Sequence, residues 1–74
     1  MRNAKRETTY RVYHTGTGEV FGTYSGRTQY HAVAAMLREA GYSVQVRSHN
    51  ELHRIVVPAG CPFQVDRLAA EQVL

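Results

Sequence analysis

Hydrophobic and polar residues alternate near the start of the chain in a pattern that predicts a β-hairpin. Residues 8–15, TTYRVYHT, and 19–26, EVFGTYSG, are rich in β-branched and aromatic side chains, and GTG lies between them. Gly18 suits the left-handed position of a three-residue loop, whereas a two-residue turn would exchange the cross-strand neighbours. The three-residue loop predicts these pairs: Tyr10–Tyr24, Val12–Gly22 and His14–Val20 on one face, and Arg11–Thr23 and Tyr13–Phe21 on the other.

Residues 28–40, TQYHAVAAMLREA, predict the main helix. Its apolar positions recur at three- and four-residue spacing, at Tyr30, Val33, Ala34, Leu37 and Ala40. Thr28 is suited to cap the first turn, and Gly41 is suited to end the helix in the left-handed conformation. Because burial of each large apolar side chain contributes roughly 1.5–3 kcal/mol, we expect this helix to supply most of the core.

A second hairpin is predicted from residues 42–48, YSVQVRS, and 52–58, LHRIVVP. Pairing Val46 with Ile55 aligns the apolar faces, and the same register places Arg47 opposite Arg54 on the other face. A register shifted by one residue would set Val46 against Arg54, which is less favourable. Two arginines that face each other repel unless an anionic group lies between them, so this pair is a candidate contact point.

The last segment, CPFQVDRLAAEQVL (61–74), allows two predictions. In one, a helix begins at Pro62 with an apolar stripe on one side. In the other, FQV is a short edge strand and Asp66 caps a final helical turn. Both predict helix over residues 66–73. The expected fold is therefore α+β, in the order β-β-α-β-β(-α), with an antiparallel sheet of about four strands and one main helix on one of its faces.

Composition and charge narrow the class of protein. The 74 residues, 43% hydrophobic and 20% charged, are typical of one small globular domain, which we expect to span residues 8–74. We expect residues 1–7 to form a flexible basic tail, since Arg2, Lys5 and Arg6 carry the net charge of +3, whereas the six arginines and six acids from residue 7 onward balance. A single cysteine and the lack of a long apolar run favour the cytoplasm.

The segment RSHNELHRIVVP (47–58) holds the closest approach to a metal motif. His49, Glu51 and His53 resemble the H-E-x-x-H pattern of zinc proteases, but that motif needs a helix and the flanking residues form strands. No spacing ties His14 or His31 to them. Cys61 lacks a histidine at a spacing that would mark a catalytic thiol, and no nucleotide-binding fingerprint is present. We therefore expect a non-enzymatic protein with no metal and no cofactor.

Binding through an exposed surface is the remaining function class. If the helix covers one face of the sheet, the other face carries a set of arginines, aromatics and a glutamine: Arg11, Tyr13, Phe21, Gln45, Arg47 and Arg54. Such a face suits stacking on RNA bases, and it equally suits a protein interface, where Tyr, Phe and Arg are enriched. Because the body is neutral, the favoured partner is a larger protein or ribonucleoprotein complex rather than a membrane. The chain itself is expected to be a monomer or a homodimer. RNA contact through the face or through the basic tail is the alternative.

Two resemblances bear on function. Residues 10–42, YRVYHTGTGEVFGTYSGRTQYHAVAAMLREAGY, resemble the hairpin-plus-helix unit of small phage and mobile-element proteins, among them anti-CRISPR proteins, which act by occluding surfaces of larger defence complexes. The resemblance implies an inhibitor in the cytoplasm of a bacterial host.

The second resemblance is to HicA-type toxin ribonucleases, whose fold is similar to double-stranded-RNA-binding domains. Ala40-Gly41-Tyr42, Ser48-His49 and Val57-Pro58 follow the family's order of short motifs. That resemblance implies an RNA-binding protein, and a ribonuclease if His49 is catalytic. The family has three strands between its helices, whereas this chain predicts about two.

Overall fold

The fold is α+β, with one helix packed against antiparallel strands. The computed structural model describes residues 7–49 and 52–73, and it describes only the backbone of His49, Leu52 and His53. The elements in chain order are β1 (Thr8–His14), β2 (Val20–Gly26), α1 (Gln29–Glu39), β3 (Gln45–His49), β4 (Leu52–Val56), a 3-10 turn (Val65–Arg67) and β5 (Leu68–Gln72). No helix in the described ranges is long and apolar enough to cross a membrane.

The strands form two antiparallel sheets where one sheet of about four strands was expected. A three-stranded sheet has the order β2-β1-β5, and β3 pairs with β4 in a separate two-stranded sheet. The physical reason is that β5 occupies the second edge of β1, with Val12 opposite Ala70, and so completes a three-stranded unit. The β3–β4 register is as predicted, with Val46 opposite Ile55 and Arg47 opposite Arg54.

The prediction of helix over residues 66–73 was wrong. Only Val65–Arg67 form a helical turn, of 3-10 type, and Leu68–Gln72 continue as strand β5. Leu, Ala, Glu and Gln favour helix locally, but pairing with β1 satisfies backbone groups along that strand's exposed edge and buries Ala70. Tertiary contacts therefore override the local preference.

Helix α1 supplies most of the core, as predicted, but over a wider surface. Thr28 caps it by accepting a 3.4 Å hydrogen bond from the His31 N–H, and Gly41 ends it with a φ of +104°. Tyr30 is 37% exposed and lies outside the core, which corrects the predicted stripe. The helix contacts all five strands, so burial extends around most of its circumference. The buried residues of α1 are Ala32, Val33, Ala34, Met36 and Leu37.

The three-stranded sheet approaches helix α1 closely at Gly26, the last residue of β2. A Cβ atom built there would lie 2.8 Å from the backbone nitrogen of Ala32 and 2.8 Å from the Cβ of His31. Real Cβ atoms do not come this close to backbone, so a side chain at Gly26 would push α1 away from the sheet. Gly26 thus sets the distance between the main helix and the three-stranded sheet.

A β-bulge changes the face on which Phe21 lies. The predicted pairs hold from Tyr10–Tyr24 to Val12–Gly22, but Tyr13 then pairs with Val20, so the predicted Tyr13–Phe21 and His14–Val20 pairs are wrong. Phe21 is the extra residue on β2, and a bulge re-aims the side chain it inserts.

The redirected Phe21 ring packs against the core. It meets the edge of Phe63 at a centroid distance of 5.8 Å, and Phe63 meets Tyr42 in the same edge-to-face manner at 6.0 Å. The prediction that Phe21 lies on the open sheet face is therefore wrong.

Candidate binding surface

The residues predicted to share one binding face are divided between three places. Arg11 and Tyr13 lie on the three-stranded sheet, whereas Gln45, Arg47 and Arg54 lie on the β3–β4 hairpin. Phe21 is in the aromatic cluster against the core. The predicted tail residues Arg2, Lys5 and Arg6 lie outside the described residues. The arginines of the hairpin and Arg11 therefore have to be considered as separate surfaces.

Arg11 is neutralised by a carboxylate on the neighbouring strand. It lies opposite Glu71 of β5, and its Nε donates a 2.9 Å hydrogen bond to Glu71 Oε2, with a second contact from Nη2 to the same oxygen. The two side chains are 45% and 48% exposed, so solvent weakens the pair, but their charges cancel locally. Arg11 and Glu71 together therefore add no net charge to this surface.

Arg47 and Arg54 are the counterparts of Arg11 on the second sheet. They lie directly opposite each other on β3 and β4, and both are exposed. Within the described parts of the chain, neither forms an ion pair with a carboxylate. Arg47 donates from Nε and Nη2 to the Gln45 side-chain oxygen, at 3.3 and 3.2 Å, and this neutral acceptor orients the guanidinium without cancelling its charge.

The four residues Gln45, Arg47, Arg54 and Val56 make up what we call the hairpin face. The register places Gln45 opposite Val56 and Arg47 opposite Arg54, so all four project from one side of the two-stranded sheet. Val56 is 39% exposed, which adds an apolar contact beside the charges. The opposite side of the hairpin packs toward the core through Val46 and Ile55.

Two depressions adjoin the hairpin face. The larger, of about 740 Å³, is open to solvent and includes Gln45, Val56 and Arg38. Arg38 donates to the Val44 carbonyl oxygen, at 3.0 Å from Nη2, and so ties the end of α1 to the start of the hairpin.

The smaller depression, of about 480 Å³, lies between α1, β4 and β5. Arg54 and Ile55 are on one side of it and Leu68 to Ala70 on the other. We call this depression the β4–β5 groove. Sequence reasoning missed it because it placed residues 66–73 in a helix, and no pattern in the sequence indicates which strand β5 would join.

His14 and His31, the histidines whose side chains the structure describes, serve local structure. His14 Nδ1 accepts hydrogen bonds from the backbone N–H groups of Gly16 and Thr17, at 3.0 and 3.2 Å, and so closes the first hairpin loop. His31 Nδ1 lies 2.8 Å from the Thr28 hydroxyl at the helix cap. Across residues 7–49 and 52–73 no group of three or more His, Cys, Asp or Glu side chains is arranged to hold a metal ion.

The near-motif that opened the metal question is not covered by the structure. The structure does not describe the side chains of His49 and His53 or any part of Glu51. The catalytic role that the toxin resemblance implies for His49 therefore falls outside the described residues. Cys61 is a half-buried free thiol.

One titratable group outside the binding surface has a shifted pKa. The Tyr24 hydroxyl donates a 2.5 Å hydrogen bond to Glu39 Oε1, linking β2 to the end of α1. This bond raises the pKa of Tyr24 above its ordinary value of 10.0, and desolvation and the negative charge of Glu39 add to the effect. The contact is structural, because it joins two packed elements away from the hairpin.

Comparisons with known proteins identify no relative of this chain from which a role for the surface could be inferred. No family model matches the chain, and neither a curated protein nor a solved structure matches it significantly.

Proposed function

We propose that this chain is a non-enzymatic protein-binding module that inhibits a bacterial defence complex, in the manner of an anti-CRISPR protein, by covering part of its surface. The observation that carries the binding role is the pair Arg47 and Arg54, held opposite each other with no carboxylate partner in the described chain. The phage or mobile-element origin, the host cytoplasm and the defence target rest on the resemblance of residues 10–42.

A protein partner is favoured by the make-up of the hairpin face. Gln45 and Val56 sit beside the two arginines, and this mixture of a guanidinium pair, an amide and an exposed apolar side chain is typical of protein interfaces. The complementary surface would be acidic, because a carboxylate between the guanidinium groups accepts hydrogen bonds from both and removes their repulsion. Only two arginines meet there, which is a small footprint for a protein that grips a phosphate backbone.

The defence role is tested by phage plaquing on strains that each carry one active CRISPR system. We expect wild-type protein to restore plaques on at least one strain, and the Arg47→Ala, Arg54→Ala double variant to fail. The matched control is Arg27→Ala with Arg67→Ala, which removes two exposed arginines elsewhere and should act as wild type. Equal activity of both double variants would contradict the hairpin assignment.

RNA binding is separated from protein binding by a gel shift with a defined single-stranded RNA over a salt series. Tight binding that falls steeply with salt and is lost in the Arg47→Ala, Arg54→Ala variant would overturn the proposal in favour of an RNA-binding protein. RNA cleavage abolished by His49→Ala would show a toxin-type ribonuclease instead. We expect no RNA gel shift for wild type, for the Arg47→Ala, Arg54→Ala variant or for His49→Ala.

A further inference from the structure

The β4–β5 groove exposes the edge of a strand. Strand β5 pairs with β1 along one side, and β4 pairs with β3 along one side. Consecutive residues line the groove on both walls, Arg54 and Ile55 on β4 and Leu68 to Ala70 on β5. Because consecutive side chains of a strand point to opposite faces, a wall made of consecutive residues is a strand edge. The groove is therefore bordered by the sides of β4 and β5 that lack a neighbouring strand.

The hydrogen bonds at the ends of β5 fix which backbone groups face the groove. The Val73 N–H donates to the Thr9 carbonyl at 3.0 Å, and the Thr15 N–H donates to the Arg67 carbonyl at 2.8 Å. Along an antiparallel strand, successive residues direct their backbone groups to opposite edges. The odd-numbered residues from 67 to 73 therefore bond to β1, and the even-numbered residues direct their N–H and C=O groups to the free edge.

Ala70 occupies the centre of this free edge. It is only 8% exposed, and by this alternation its N–H and C=O point away from β1 toward the groove. The N–H of Leu68, by contrast, is already bonded to the Val65 carbonyl. A backbone donor and acceptor directed to the free edge of a strand are available to pair with another strand. An extended peptide supplies the matching pair of groups.

We propose that the β4–β5 groove binds an extended acidic segment of the partner protein, which adds to β5 as a further strand. The inference rests on the proposed function in taking the partner to be a protein. A strand residue occupies about 160 Å³, from a rise of about 3.3 Å, a strand spacing of about 4.8 Å and a sheet spacing of about 10 Å. The groove of about 480 Å³ thus accepts about three residues.

Side chains on the walls define the chemistry of that segment. Val33, Ile55 and Leu68 line the groove with apolar surface for one face of the incoming strand. Arg54 also lines it and belongs to the hairpin face, so a carboxylate on the strand's other face would meet a guanidinium. Asp66 lies on the β5 side and forms no ion pair with Arg54. The groove is positive toward β4 and negative toward the 3-10 turn, which gives a bound acidic segment a preferred orientation.

The probe for this site is the acetylated and amidated pentapeptide Thr-Val-Glu-Val-Thr, titrated into the full isotope-labelled chain and followed by NMR. In the free protein we expect the Ala70 amide to exchange at least about tenfold faster than the Glu71 amide, which donates to β1. The peptide should slow Ala70 exchange by about tenfold and leave Glu71 unchanged. Its Gln analogue should bind about threefold more weakly, and Arg54→Gln should abolish that difference.

The decisive controls are two versions of the peptide, one N-methylated at the glutamate and one at both valines, which remove the backbone donors of opposite strand edges and keep every side chain. Strand addition predicts that one of the two loses most of the affinity; equal binding of both and of the parent peptide would overturn the proposal. A second copy of the chain could fill the groove instead. In that case Ala70 amide exchange would be slow without peptide and would depend on protein concentration, and sedimentation would show dimers. If the peptide fails while plaque restoration still depends on Arg47, the groove is refuted and the proposed function stands.

Discussion

The arginine pair on the hairpin face makes a quantitative prediction that needs no ligand. If Arg47 and Arg54 face each other, charge reversal of either one turns repulsion into attraction, and reversal of both restores repulsion. The free energies of unfolding of wild type, Arg47→Glu, Arg54→Glu and the double variant form a thermodynamic cycle. Effects of glutamate on strand propensity or on other neighbours cancel in that cycle, so the remainder is the pair interaction.

The size of the effect follows from the separation of the charges. If the separation of two exposed guanidinium centres is taken as about 8 Å, Coulomb's law in water gives about 0.5 kcal/mol, which screening reduces to about 0.4 kcal/mol at 0.01 M salt. The pair is repulsive in wild type and in the double variant and attractive in each single variant. The coupling energy combines all four interactions with the same sign, so it is four times this value, about 1.6 kcal/mol. Screening lowers it to about 0.8 kcal/mol at 0.15 M and to below about 0.2 kcal/mol at 1 M.

Urea denaturation followed by circular dichroism measures the cycle at all three salt concentrations, because urea adds no ions of its own. We expect both single variants to be more stable than wild type and the double variant at low salt. The positive control is the same charge-reversal cycle on Arg11 and Glu71, whose ion pair is visible in the structure. Arg11→Glu, Glu71→Arg and the double variant should give a comparable coupling energy. A coupling below about 0.3 kcal/mol at 0.01 M, or one insensitive to salt, would refute the facing pair and with it the basis for an anionic partner.

Three further predictions test the fold that holds the surface. Gly26→Ala should destabilise the protein by about 1–3 kcal/mol through overpacking against α1, as measured by urea denaturation, and a neutral effect would show that the helix has room to shift. Phe21→Ala should cost about 2 kcal/mol, and its cycle with Phe63→Ala should give a coupling of about 1 kcal/mol, whereas additive effects would place Phe21 outside the cluster. Tyr24 favours the neutral phenol in the folded state, so its contribution is complete below pH 10.0 and is lost as pH rises through the raised pKa. The stability difference between wild type and Tyr24→Phe should therefore shrink above pH 10.0, and a constant difference would contradict the Glu39 hydrogen bond.

Sequence patterns predicted those elements whose geometry is set by neighbouring residues. The first hairpin, α1 with its Thr28 cap, and the β3–β4 register all follow from alternation, helical spacing and turn chemistry. Arg47 and Arg54 were found for the same reason, since the pairing of Val46 with Ile55 determines theirs. Local information was sufficient because each of these units joins segments that are adjacent in sequence.

Contacts between distant segments were not predictable in this way. The pairing of β5 with β1 joins residues about 60 positions apart, and nothing in LAAEQ indicates a strand. The bulge that turns Phe21 toward Phe63 depends on how the loop after β1 closes, which alternation alone leaves open. In both cases a contact with a distant residue accompanies the failure: strand pairing with β1 for β5, and the ring contact with Phe63 for Phe21.

Strand β5 was wrongly predicted to be helical, and it is also the strand at which we propose that a peptide binds. Its alanine content bears on both points. Alanine has low strand propensity, so Ala69 and Ala70 weaken β5 as a strand relative to a β-branched sequence. The small side chain of Ala70, however, lets α1 lie close to the sheet, and neither alanine carries the bulky or lysine side chain that would block edge pairing. Edge strands that are not used for binding are normally protected by such groups. In the described chain, a helix-prone, alanine-containing edge thus lies beside an arginine with no carboxylate partner, which is the combination that the proposed strand addition requires.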